Sequence, residues 1–408
     1  MTTTSNISFL QKRLILAQKS TIVNGFWEKN LLKARVLWQF YQISLELTQS
    51  PWRALKLLLE VNQKYQEALG QDFLTKVAKV GTRYFWRLGA PGFPSSAASN
   101  AYKNELKRFL PNGVPTGLRS LLFAITKQCP LHCEHCFEWD NLNQKEELST
   151  EQIIQIVKDY QDYGTSQILL SGGETMLRVN DVYRVLKAAQ PDCSDFWVLT
   201  SGLGLTKERA RRLKAAGLTG VMVSLDHFDP VQHDRFRGYE GAFDMAIQGI
   251  VNANKAGLVT TISLCPTKSF TTRENLSAYL ELAHKLGATF IQIVEPRAAG
   301  RYKGQAVDLE PEHLAILEDF YLTYNADPGY RNYPIINYIG HLQRSEGCSG
   351  SGNRFVYIDT DGDAHICPFC GDKVASALQF PVKDILSLLS TQPCAAFETY
   401  ESRHELKE

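Results

Sequence analysis

Cys129-Pro-Leu-His-Cys133-Glu-His-Cys136 sets three cysteines in a C-x3-C-x2-C loop directly after the apolar run Leu121-Leu122-Phe123-Ala124-Ile125. A short apolar run of this kind reads as a buried strand, so the cysteines sit just past a strand end. Iron–sulfur clusters and structural zinc are normally closed by four protein ligands, and three thiolates are one too few. A compact loop of three therefore points to a cluster with one iron left for a small molecule. A zinc knuckle completed by His132 or His135 is the rival reading of the same residues.

From about residue 118 onward the rhythm is strand, helix, strand, helix. Apolar segments at 121–126, 167–171, 196–200, 221–225, 260–264 and 290–294 alternate with helical stretches beginning near Ser149, Val179, Thr206, Gly241 and Thr272. Six strands with helical crossovers predict a parallel sheet, and right-handed crossovers wrap it into a barrel-like array whose ligands gather at the carboxyl ends of the strands. The polar motifs fall there: Ser171-Gly172-Gly173-Glu174 after the second strand, Thr200-Ser201-Gly202 after the third, and Ser224-Leu225-Asp226 after the fourth. His233-Asp234-Arg235-Phe236-Arg237-Gly238 follows the fourth strand, and Glu295-Pro296-Arg297 with Gly300-Arg301 follows the sixth. Each is also readable as a cap, a turn or a surface ion pair. A second group, Cys348, Cys367, Cys370 and Cys394, flanks a predicted hairpin over 355–366 with Asp361-Gly362 at its turn. A zinc site is the rival reading of these four cysteines. Cys193 and Cys265 stand alone and read as ordinary buried cysteines, and His227 and His233 read as loop or surface residues.

In this order the motifs resemble those of the radical S-adenosylmethionine (radical SAM) superfamily, in the subgroup with a C-terminal auxiliary-cluster domain of the SPASM or twitch kind. The resemblance covers roughly Gly117 to Cys394. It implies that Cys129, Cys133 and Cys136 hold a [4Fe-4S] cluster with an open iron, with S-adenosylmethionine on that iron. His135 takes the place of the family's aromatic residue near the adenine. Gly172, Gly173 and Glu174 match the motif that holds the cofactor's amino group, and Ser201, Ser224 and Asp226 the ribose-contacting strand ends. Arg237 is implied as the partner of the cofactor carboxylate. Four later cysteines match one auxiliary [4Fe-4S] cluster with ligands Cys348, Cys367, Cys370 and Cys394, fewer than the seven of the longer SPASM form. The implied reaction is reductive cleavage of S-adenosylmethionine to a 5′-deoxyadenosyl radical that abstracts a substrate hydrogen, for oxidation or crosslinking of a peptide or small molecule. A low-potential donor such as flavodoxin or ferredoxin is the implied partner. The alternatives are a redox-sensing protein that keeps its clusters without turnover and a zinc-stabilised binding protein.

The expected organisation is a helical N-terminal extension and linker over 1–115, a partial (β/α)6 TIM-like barrel over 116–307 and an auxiliary-cluster domain over 308–408. Ile7, Leu10 and Leu14, and again Leu55, Leu58, Leu59 and Val61, recur at helical spacing with no strand-like alternation, and Pro51 after Ser50 opens a helix. The region lacks the strands of the winged-helix peptide-recognition domain that some peptide-modifying relatives carry. Its aromatic residues, among them Trp27, Trp38, Phe40, Trp52, Phe85 and Trp86, read as core. Gly, Pro and Ser between 88 and 99 mark a linker, with one helix near 100–110. A formal net charge of +1 gives no reason to invoke nucleic acid, and Arg209, Arg211, Arg212 and Lys214 read as a solvated helix face. An odd count of nine clustered cysteines fits a reducing cytoplasm, and no run of about 18 apolar residues predicts a transmembrane segment.

Overall fold

The computed structural model describes residues 21–69, 76–111, 113–348, 350–370 and 372–392; Ile7, Leu10, Leu14 and Cys394 lie outside them. The chain begins with β1 (Thr21–Ile22), α1 (Phe26–Thr48), α2 (Pro51–Leu69), β2 (Ala78–Val80), β3 (Arg83–Phe85) and α3 (Ser96–Lys107). The barrel follows as β4 (Ser120–Ala124), α4 (Thr150–Asp162), β5 (Gln167–Ser171), α5 (Val179–Ala188), β6 (Asp195–Thr200), α6 (Lys207–Ala216), β7 (Leu218–Ser224), α7 (Pro230–Arg237), α8 (Ala242–Lys255), β8 (Val259–Leu264), α9 (Arg273–Leu286) and β9 (Phe290–Ile293). The remainder is α10 (Pro311–Ala326), β10 (Ile335–Tyr338), α11 (Ile339–Glu346), β11 (Phe355–Ile358), β12 (Asp363–His365), β13 (Ala375–Ser376) and α12 (Val382–Ser390).

Strands β4 to β9 pair in chain order and in parallel, as the helical crossovers require. Their near-continuous apolar runs follow from burial on both faces: Leu121 and Phe123 pack among the helices, while Ser120 and Leu122 line the barrel interior. Helix starts obey local rules, as in the capping box of Ser149 and Gln152 on α4 and the Thr206 and Thr272 caps of α6 and α9. Four further strands, β10 to β13, extend this sheet, and spacing did not reveal β10 or β11 as neighbours of the barrel strands. β10 extends the β9 edge in parallel, and β11, the first strand of the expected hairpin, pairs in parallel with β4 at the other edge. Sheet continuity thus runs from the barrel strands into residues beyond 307.

The N-terminal region departs from the all-helical expectation, since β1, β2 and β3 form an antiparallel sheet. At two or three residues each, these strands are too short to show alternation. They form because Ala78 and Phe85 pack against Trp197, Val259, Phe290 and Ile335, closing the amino-terminal end of the barrel. Asp195 fastens this floor, accepting from Arg83 Nη1 at 2.5 Å and the Gly92 amide at 2.8 Å. The linker helix starts earlier than expected, at Ser96, because the Ser95 side chain caps it. The aromatic core holds only in part. Phe40, Tyr84 and Trp86 pack inward, but Trp27, Trp38 and Trp52 are 82%, 60% and 81% exposed. α1 has a second apolar stripe opposite its buried Leu32, Val36 and Ile43, and helical spacing alone does not say which stripe meets the core.

Candidate functional site

The cysteine loop is held from three sides by glycines whose neighbours leave no room for a side chain. A Cβ on Gly173 would meet Gln128 O at 2.4 Å, one on Gly238 would meet His132 O at 2.7 Å, and one on Gly300 would meet Cys136 O at 2.3 Å. The adjoining amides bond the same loop: Gly173 N donates to Thr126 O (2.7 Å), Glu174 N to Gln128 O (2.7 Å), His132 N to Arg237 O (3.0 Å) and Arg301 N to Cys136 O (2.9 Å). Gly238 and Gly300 have φ of +58° and +55°, which favour glycine independently of the contacts. Three segments distant in sequence therefore act as staples on one loop. Sequence reasoning missed a fourth, Asn143, whose carboxamide accepts from Cys129 N and donates to Cys129 O, both at 3.0 Å. Its only sequence signal is that asparagine tolerates the positive φ it adopts here.

Glu174, buried at the end of β5, accepts four hydrogen bonds: at Oε1 from Met176 N (3.0 Å) and Thr200 Oγ1 (2.6 Å), and at Oε2 from Ser201 N (2.8 Å) and Ser201 Oγ (2.6 Å). A carboxylate has about four acceptor positions, so this side chain is filled by protein donors and ties the end of β5 to that of β6. Ser201 is thereby drawn to Glu174, and both it and Ser224, at the end of β7, line the cavity.

Asp226 and Arg237 are buried and paired, with Nη2 to Oδ2 at 2.5 Å, and Arg237 Nη1 lies 3.5 Å from Cys133 Sγ. Burial alone would raise the Asp226 carboxyl, but Arg237, His135 and His233 outweigh it and hold it below the usual range. Asp226 also accepts from Cys265 N at 2.9 Å, and its own amide donates to His233 Nδ1 at 3.1 Å. His233 is thus not a loop or surface residue: it is buried against Phe243, where burial lowers its pKa to about 4. Cys265 is buried beside Asp226 and lines the cavity, whereas Cys193 is only partly buried, near Gln190 Oε1. Glu295 accepts from Tyr338 Oη (2.6 Å) and Arg344 Nη1 (2.7 Å) and pairs with Arg297, the charge-pairing role at the turn after β9. Arg301 bonds the Cys133 carbonyl at 3.3 Å and lies over Trp139.

His135 stacks on Phe236 with ring centroids 4.9 Å apart, and burial lowers its pKa to about 4, so its imidazole is neutral near pH 7. Its Nδ1 is buried with no hydrogen-bond partner among the described residues. Burial also pushes the Cys129 thiol up to about 11 and the Cys136 thiol up to about 12, so the thiolates that ligation requires need a cation beside them. Three cysteine sulfurs on one cavity and one orphaned imidazole nitrogen fit a metal cluster with a nitrogen-bonding ligand next to it. On the far side, Cys367 and Cys370 sulfurs are 3.3 Å apart across a turn, and Cys348 is buried with Gly350 N donating to its sulfur at 3.4 Å. Phe137, next to Cys136, meets Phe369, between Cys367 and Cys370, edge-on at 6.0 Å. One cavity of about 450 Å³ is lined by Cys129, Cys133 and Cys136 and also by Cys348 and Cys367.

Comparison with protein families matches residues 123–282 to the Radical SAM superfamily. The AdoMet-dependent heme synthase of Nitratidesulfovibrio vulgaris is 30% identical over 299 residues, 65% of this chain and 78% of that protein. The PqqA peptide cyclase of Rhizobium meliloti is 27% identical over 282 residues, 68% of this chain and 73% of that protein. Among solved structures, Streptococcus suis SuiB bound to the precursor peptide SuiA shares the fold, with a TM-score of 0.58 at 15% identity over 73% of this chain and 72% of that one. No helix among the described residues is long and apolar enough to cross a membrane.

Proposed function

This chain belongs to the Radical SAM superfamily, and from that premise we propose that it modifies a peptide held between two iron–sulfur centres in a single cavity. When bound, a [4Fe-4S] cluster and S-adenosylmethionine supply reductive cleavage of the sulfonium to methionine and a 5′-deoxyadenosyl radical, which removes a hydrogen atom from an unreactive carbon. The observation that carries the proposal is the shared lining of that cavity by both cysteine groups. Two likenesses support a peptide substrate: a relative that is a peptide cyclase, and a fold neighbour solved with its precursor peptide.

In this reading Cys129, Cys133 and Cys136 hold the first cluster, and the Gly173, Gly238 and Gly300 staples keep the loop in one geometry. Arg237 supplies a buried positive charge and an N–H directed at Cys133 sulfur. With Arg237 already paired to Asp226, the two act as one unit at the cofactor's polar end. Glu174 positions Ser201 and the β5 turn, and a cofactor ammonium reaches its carboxylate only by displacing a hydroxyl donor. His135 offers its stacked, neutral ring to the adenine, and Ser224 its hydroxyl to the ribose. Cys348, Cys367 and Cys370, with Cys394, would hold an auxiliary cluster, which would supply an acceptor for an electron from the substrate. A reducing cytoplasm and a low-potential donor such as flavodoxin or ferredoxin complete the reading, in keeping with the clustered, odd-numbered cysteines.

Anaerobic reconstitution tests it. About eight iron and eight sulfide per chain are expected, falling to about four of each when Cys129, Cys133 and Cys136 are replaced together by Ala, with loss of cofactor cleavage. Colourless protein carrying stoichiometric zinc would overturn the assignment.

A further inference from the structure

The two walls of the cavity differ in chemistry, and strand register shows why. On β4, β5 and β6, Leu122 pairs with Leu169, and Leu169 with Trp197, an apolar band on a wall that also carries Ser120 and Gln167. Across β7 to β10, Ser224 pairs with Ser263, Ser263 with Gln292, and Gln292 with Asn337. All four line the cavity, so an unbroken polar row crosses four neighbouring strands at one level, with about 4.8 Å between strands. Asn337 is 7% exposed. Among the described residues, no hydrogen bond joins the side chains of Ser263, Gln292 or Asn337 to a protein partner, which leaves their polar groups to whatever enters the cavity. Gln292 and Asn337 lie beyond residues 123–282, so the family match assigns them nothing.

The groups in this row are neutral. Around it, Asp226 pairs with Arg237, Glu295 with both Arg344 and Arg297, and Glu105 with both Arg119 and Arg354. Each carboxamide offers one acceptor and an NH2 donor, the complement of a peptide group's N–H and C=O. We infer that Ser263, Gln292 and Asn337 are the substrate-recognition row, pairing with backbone amides of a peptide whose side chain lies against the Leu122, Leu169 and Trp197 wall. The row begins one strand beyond Ser224, so a peptide bound there lies next to the proposed ribose site. The inference deepens the peptide reading and rests on it.

The test uses full-length reconstituted protein with S-adenosylmethionine and a pooled library of N-acetylated, C-amidated tetrapeptides, read by affinity-selection mass spectrometry. Wild type should retain a subset of the library. Gln292→Met with Asn337→Leu should lower that retention about tenfold or more, as expected for loss of a paired amide hydrogen bond. Asn337→Asp, which keeps the shape and removes the NH2 donor, should also lower it, which a purely packing role would not produce. Iron content and a circular dichroism melt establish that each variant is folded. Wild-type retention with unchanged binding by the folded variants overturns the row and leaves the peptide reading standing. Wild type that retains no tetrapeptide overturns the peptide reading and this inference together, and retention of a carboxylate-bearing porphyrin in the same assay would then identify the replacement class.

Discussion

Glu174 carries four hydrogen bonds on two oxygens, so its first consequence is mechanical. Glu174→Gln puts an NH2 where one oxygen accepted two donors, and leaving buried donors unpaired costs about 1–3 kcal/mol each before relaxation. We expect the variant to lose about 2–3 kcal/mol in chemical denaturation, with cofactor affinity falling as a secondary effect; an unchanged midpoint would mean the bonds carry no net energy. His233 makes a prediction in pH. Its pKa is lowered to about 4 mainly by burial, so the unfolded chain binds a proton below about 6.5 that the folded chain refuses. Stability from this group is present above about pH 6.5 and is lost as pH falls toward 4, by an amount on the order of 2–3 kcal/mol. His233→Asn keeps an acceptor for the Asp226 amide without the titration, and should show a shallower loss of stability between pH 6.5 and 4 in urea melts.

The N-terminal elements divide into parts that hold the barrel and parts that do not touch it. β2 and β3 bring Phe85 to 3% exposure among Trp197 and Phe290, whereas Trp52 on α2 is 81% exposed. Phe85→Ala should cost about 3–5 kcal/mol by opening a hole in the barrel floor, while Trp52→Ser should stay within about 0.5 kcal/mol. Paired thermal melts check both. Equal losses would mean that Trp52 is covered in the folded protein. At the same scale, Gly172, Gly173, Gly238 and Gly300 each meet the backbone of the cysteine loop or of the residues leading into it.

Across the whole molecule, one sheet joins the two cysteine groups. β4 leads into the first cysteine loop, and β11, lying between Cys348 and Cys367, pairs with β4 over Ser120 to Phe123. Arg354, just before β11, is clamped to Glu105 of α3, so protein contacts hold the hairpin from two directions. Burial alone would raise the Glu105 carboxyl, but Arg354 and Arg119 outweigh it and keep it charged. Cys348→Ala with Cys367→Ala should therefore stay folded by circular dichroism, lose about four of its iron ions and still form 5′-deoxyadenosine without substrate product. A folded double variant that turns over substrate normally would make the second cysteine group structural only.

Spacing and turn chemistry act over a few residues, so they were legible directly: the C-x3-C-x2-C loop, the six alternating strands with their helices, the Asp361-Gly362 hairpin, and the strand-end position of Gly172, Ser201 and Asp226. Contacts between distant segments were not. Nothing local in Ile335-Ile-Asn-Tyr338 says that it adds to β9, or in Phe355-Val-Tyr-Ile358 that it adds to β4 rather than standing apart. The burial of His233, the exposure of Trp27 and the pairing of Arg237 with Asp226 likewise depend on which surfaces meet after the chain closes. The sequence by itself determined the elements and the chemical groups at their ends, because those follow from local backbone preference and periodic burial. Only the tertiary structure decided that both cysteine groups open onto one cavity and that Ser263, Gln292 and Asn337 form a row across it, because register and shared burial are set by long-range packing that no local window contains.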